Sequence, residues 1–157
     1  MKNRRLGHRS FVRRPLALEQ LQQRVVLTGN VSAYVDRGTL FINGDIGDNQ
    51  LRISSVGKDW VQIAALDGTT INNQQSVATF KVTKGYVINM GGGNDVLQFE
   101  NVKIRSKNDL VVDMGVGDDN LQFNNVDVLR IRALLGEGHD TVSVTNSKVE
   151  RSLKIFG

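Results

Sequence analysis

Three aspartates recur in this chain at the same place in the same short phrase. Gly91-Gly92-Gly93-Asn94-Asp95, Gly115-Val116-Gly117-Asp118-Asp119 and Gly136-Glu137-Gly138-His139-Asp140 each open a segment of the form Gly-x-Gly-x-Asp-x-Φ-x-Φ-x-Asn, with Φ apolar. Glycines at this spacing permit a tight turn. Stacked at strand spacing of about 5 Å, Asp95, Asp119 and Asp140, with Asp118 beside them, repel one another unless a cation or hydrogen bonds intervene. Two chemistries answer that repulsion. Carboxylates together with the carbonyls near Gly93, Gly117 and Gly138 are oxygen donors of the kind calcium takes, about six to eight at a time. Alternatively, each Asp accepts local backbone N–H groups with no metal present. Both readings stay open, and His139 reads as a solvated turn residue rather than a ligand.

The elements that must hold these turns are short strands. Leu97 and Phe99 flank Gln98, and the same period of two precedes each turn at Tyr86, Ile88 and Met90, at Leu110, Val112 and Met114, and at Ile131, Ala133 and Leu135. A third short strand is expected after each asparagine, at Val102 and Ile104 and at Val126 and Val128. The phrases are spaced by 24 and then 21 residues, and the three extra residues fall in the Arg105–Asn108 stretch. The spacing predicts an all-β fold, a parallel β-solenoid (β-helix-like or β-roll-like) of 21–24 residues per rung. Leu97, Leu121 and Val142 form one expected interior column, and Phe99, Phe123 and Val144 a second. Asn101, Asn125 and Asn146 share the interior parity and are expected to form an asparagine ladder.

Upstream the phrase fades. Gly47-Asp48-Asn49-Gln50-Leu51 replaces the Asp by Asn49, and Gly57-Lys58-Asp59-Trp60 fits loosely. Asp67-Gly68 between apolar runs is a hairpin signal, so residues 51–71 are alternatively an antiparallel hairpin. Leu18, Leu21 and Val25 after Pro15 suggest a short amphipathic helix. The expected organisation is a basic leader with that helix over 1–27, a divergent capping β region over 28–85 and the repeats over 86–157. Ser152–Phe156 resembles the strand before each glycine turn, and Gly157 stands 21 residues after Gly136. The reading therefore expects truncation, further repeats or a partner at that end.

Two resemblances add to this. The Gly-x-Gly-x-Asp turns resemble the calcium-binding nonapeptide of the hemolysin-type (RTX) family. That resemblance implies a β-roll with calcium held by Asp95, Asp119 and Asp140 and by carbonyls near Gly93, Gly117 and Gly138. The family repeats its turn every nine residues, whereas this chain has one per 21–24, so one edge alone would bind metal. Leu18-Glu19-Gln20-Leu21-Gln22-Gln23-Arg24-Val25-Val26-Leu27 resembles the "LEQLEDRVLL" leader of large exported repeat proteins of planctomycetal bacteria, with Gln22-Gln23 in place of Glu-Asp. It implies export.

Composition narrows the function classes. With no cysteine, disulfide scaffolds, thiolate zinc sites and thiol catalysis are excluded. No stretch is apolar enough for a membrane-spanning helix. The net charge of +4 divides into +6 over residues 1–24 and −2 over the remainder, so a nucleic-acid reading rests on the leader alone and is not favoured. The expectation is a non-catalytic, secreted or cell-surface β-solenoid segment, structural or adhesive, with calcium as the one cofactor in view. Further repeats, self-association at the open C-terminal rung or an extracellular glycan are the partners considered. The alternative is a polysaccharide-acting β-helix lyase or glycoside hydrolase that uses two carboxylates as acid and base.

Overall fold

A computed structural model describes residues 29–74, 76–104 and 109–157. The expected leader and amphipathic helix lie outside these residues. The described chain forms thirteen strands: β1 (Asn30–Asp36), β2 (Thr39–Asn43), β3 (Gln50–Gly57), β4 (Trp60–Ala65), β5 (Thr70–Ile71), β6 (Val77–Lys81), β7 (Gly85–Asn89), β8 (Val96–Glu100), β9 (Asp109–Asp113), β10 (Asn120–Asn124), β11 (Asp127–Leu134), β12 (Thr141–Thr145) and β13 (Lys148–Phe156). Alternation dictates which side each strand buries. In β8 and β10, Leu97, Phe99, Leu121 and Phe123 are buried while Gln98 and Gln122 are not.

The strands make two sheets, ordered β13-β11-β9-β7-β2-β1-β5 and β12-β10-β8-β3-β4-β6. Both contribute to one apolar core that includes Leu40, Ile42, Leu51, Ile53, Ile88, Leu97, Phe99, Leu110, Leu121 and Phe123.

This corrects the expected fold. The architecture is all-β, but it consists of two mixed sheets and is not a parallel β-solenoid. Antiparallel pairs β1·β2, β3·β4 and β4·β6 lie beside the parallel ones. The cause is a set of tight turns that return the chain on itself. Arg37 and Gly38, both at positive φ, join β1 to β2, and Lys58-Asp59, with Asp59 at φ 61°, joins β3 to β4. The segment 57–60, which loosely resembles a repeat turn, is thus a hairpin turn. The hairpin alternative for 51–71 finds its turn at Lys58-Asp59, not at Asp67-Gly68.

Among the described residues the expected third strand is not a separate element. Val126 precedes β11, and Val128 lies within it, in a strand that continues from Asp127 to Leu134 into the next unit. Lys103 makes a single bridge to Asp127.

Within the repeats the pairing is position for position. Leu97 pairs Leu121, which pairs Val142; Phe99 pairs Phe123, which pairs Val144. The Phe99 and Phe123 rings stack with centroids 5.2 Å apart and planes 15° from parallel. β3 joins the same register through Leu51 with Leu97 and Ile53 with Phe99.

Candidate functional site

Because Asn43 pairs with Asn89 and Gln50 with Val96, the segment Asp45-Ile46-Gly47-Asp48-Asn49 lies against Gly91–Asp95. Four turns therefore stack: 45–49, 91–95, 115–119 and 136–140. Their backbones are tied by Gly92 N–H to Asp45 O at 2.9 Å, Gly93 N–H to Val116 O at 3.0 Å and Gly117 N–H to Glu137 O at 2.8 Å.

The glycines are needed sterically. Gly115 and Gly117 have φ of 100° and 142°, and a Cβ on either would overlap the carbonyl oxygen of Gly91 or Gly93. The same relation carries Gly136 and Gly138 over Gly115 and Gly117.

Two ladders of side-chain bonds run along the stack in opposite senses. In the inner one, the N–H of Asn49 donates to Asp95 Oδ1 at 2.7 Å, that of Asp95 to Asp119 Oδ1 at 2.8 Å and that of Asp119 to Asp140 Oδ1 at 3.0 Å. In the outer one, the N–H of Asn94 donates to Asp48 Oδ1 at 2.7 Å, that of Asp118 to Asn94 Oδ1 at 2.9 Å and that of His139 to Asp118 Oδ1 at 2.8 Å. The structure thus brings Asp95, Asp119 and Asp140 together and sets Asp118 on the outer face with exposed His139.

Sequence reasoning missed Asp48 and Asn94 as members of a second ladder. The available signal was an Asp or Asn at the fourth position of the first three turns.

The inner ladder is buried at Asn49, Asp95 and Asp119. Asp95 is 0 % exposed and Asp119 is 2 % exposed, and the Oδ2 atoms of both, with Asn49 Oδ1, have no hydrogen-bond partner. Burial, with a smaller contribution from the charge of Asp119, pushes the Asp95 carboxyl up to about 7 against the pull of the Asn49 N–H. Burial likewise raises Asp119, with Asp140 and Asp118 adding to it and the Asp95 N–H opposing.

As a calcium site the donor set fits in part. Asp95 Oδ2, Asp119 Oδ2 and Asn49 Oδ1 are unmatched oxygens that a cation would satisfy, and calcium held by Asp95 and Asp119 would supply the neutralising charge. The carbonyls of Gly93 and Gly117 are placed less well, since each abuts the Cα of the next glycine. Among the described residues no group of three or more His, Asp or Glu side chains is arranged to hold a metal ion.

Asn101, Asn125 and Asn146 depart from expectation in their facing. All three are exposed at positive φ of 54°, 54° and 50°, each turning the chain at a strand end. Asn125 Nδ2 donates to Asn101 Oδ1 at 2.6 Å.

A separate cleft of about 120 Å³ beside the β3–β4 hairpin is lined by Ser55, Asp59, Trp60, Lys84, Tyr86 and Lys103, among others. Burial, and next the Asp59 carboxylate, raise the Tyr86 hydroxyl above its ordinary range. Among the described residues no helix is long and apolar enough to cross a membrane.

No protein family, curated protein or solved structure matches this chain.

Proposed function

We propose that this chain is a non-catalytic β-sheet segment of a secreted or cell-surface protein, with a structural or adhesive role. The observation that carries the reading is the occupation of the recurring carboxylates. Asp95 and Asp119 are buried, and Asp95, Asp119 and Asp140 each accept the N–H of the preceding turn. A carboxylate fixed in this way, without access to solvent, is unsuited to exchanging protons with a polysaccharide. The resemblance of residues 18–27 to an exported leader supports the location. Partners are further β strands or a second copy, with an extracellular glycan as the other candidate.

The test is incubation with a panel of acidic and neutral polysaccharides, for wild type and Asp119→Asn. The reading expects no depolymerisation by either. Product release by the wild type that the variant loses would establish the enzyme instead.

A second reading is favoured by the unmatched Oδ2 atoms of Asp95 and Asp119: calcium stabilises the turns. It expects the thermal midpoint to rise by several degrees in millimolar calcium over EDTA, and less in magnesium, which holds more rigidly to six-fold geometry. Equal midpoints in all three buffers leave the turns purely hydrogen-bonded.

A further inference from the structure

The six-stranded sheet ends at β12, which pairs with β10 on one side alone. Thr141 N–H donates to Asp119 O and Thr145 O accepts from Asn125 N–H, so the backbone at 141, 143 and 145 faces β10. By alternation, the N–H and C=O of Val142 and Val144 face outward.

The strand reads Thr141-Val142-Ser143-Val144-Thr145, which is identical in both directions. It carries no charge, proline or bulge, the devices that ordinarily guard a sheet edge. Elsewhere such devices are present. β5 has two residues, β6 ends on Lys81, and β13 carries Lys148, Glu150, Arg151 and Lys154.

The interior side of this end is also uncovered. Val144, Leu153 and Ile155 are 40 %, 43 % and 39 % exposed, although their register partners Phe123, Ile131 and Ala133 are at most 1 % exposed.

We infer that β12 pairs antiparallel with β12 of a second copy about a two-fold axis at Ser143. Val142 then lies opposite Val144 of the other chain, twice, and each pair exchanges both of its outward N–H···O bonds. Thr141 meets Thr145, and Ser143 meets Ser143 as a non-hydrogen-bonded pair. Exposed Val144 and half-buried Val142 of both copies join into one apolar layer. A palindromic strand is what an isologous interface requires, because the same residues must complement themselves. The pairing deepens the self-association named above and does not depend on calcium.

The full chain in EDTA tests it. Sedimentation at micromolar concentration should give twice the 17.4 kDa of one chain. Ser143→Lys sets like charges across the axis on an exposed side chain and should give a monomer with an unchanged circular dichroism spectrum. The chain has no cysteine, so Ser143→Cys should oxidise to a disulfide-linked dimer, its Cα atoms lying about 4.5 Å apart. Thr141→Cys, opposite Thr145, should not. A monomeric wild type, a dimer that survives Ser143→Lys, or crosslinking through Thr141→Cys in place of Ser143→Cys would each overturn the pairing.

Discussion

Asp119 closes the backbone of Asp95: its Oδ1 takes the Asp95 N–H at 2.8 Å while its Oδ2 stays buried with no partner. One carboxylate thus satisfies a buried donor and leaves a buried acceptor unmatched. Protonation removes the charge that burial penalises.

The pH dependence follows in sign from that relation. A carboxyl raised from 3.8 to about 7 binds its proton more tightly in the folded chain than in the unfolded one. The stability Asp95 contributes is therefore full below pH 4, declines as pH rises towards 7 and is level above. Asp119 is shifted in the same direction. In EDTA the thermal midpoint should be higher at pH 5 than at pH 8, and Asp95→Asn should flatten that difference. A wild type and Asp95→Asn with identical pH profiles would mean that Asp95 does not carry this proton.

Asn94 already shows that an amide serves as a ladder acceptor, since its Oδ1 takes the Asp118 N–H at 2.9 Å in the outer ladder. Asp95→Asn keeps an oxygen for the Asn49 N–H and is expected to be neutral or stabilising at pH 8. Asp95→Ala leaves that N–H unsatisfied and should cost about 1–3 kcal/mol. Urea titration of the two variants checks the order.

Gly115→Ala and Gly117→Ala should be among the most damaging single changes, each costing about 3 kcal/mol or more, since the new Cβ meets backbone and not a movable side chain. Gly57→Ala is the control, because its Cβ would come no nearer than 3.9 Å to Trp60 Cβ. Comparable midpoints for all three would show that the turns do not stack this closely.

Phe123→Ala removes a fully buried ring stacked on Phe99 and should cost about 3–5 kcal/mol. Val144→Ala, in the same register but 40 % exposed, should cost far less in the monomer. Chemical denaturation of each variant on the Ser143→Lys background measures the contrast free of any interface.

The parts legible in the sequence are those fixed by repetition. Leu97, Leu121 and Val142 occupy one place in one phrase, and identical phrases pair in register. The hairpin within 51–71 was legible as an alternative, but its turn was not, because Gly57-Lys58-Asp59 imitates the repeat turn while its geometry is set by the left-handed φ of Asp59. The asparagines were misplaced for a related reason. Parity counted from Phe99 points Asn101 inward, but a φ of 54° ends the alternation and turns the side chain to solvent. The outer ladder escaped notice because Asp48 and Asn94 differ in charge while doing the same work as acceptors.

Asp45 stands where the later turns have Gly91, Gly115 and Gly136. Its carboxylate holds the N–H groups of Asn30 at 2.9 Å and Gly47 at 3.0 Å. In the later turns, the Cβ-bearing side of that position is where the preceding backbone lies, so a side chain there leaves no seat for another turn beneath. The stack is in effect a seed crystal with one passivated face. Material can be laid down on the Gly136 side, while the Asp45 side is finished, and that polarity is written into a single departure from glycine.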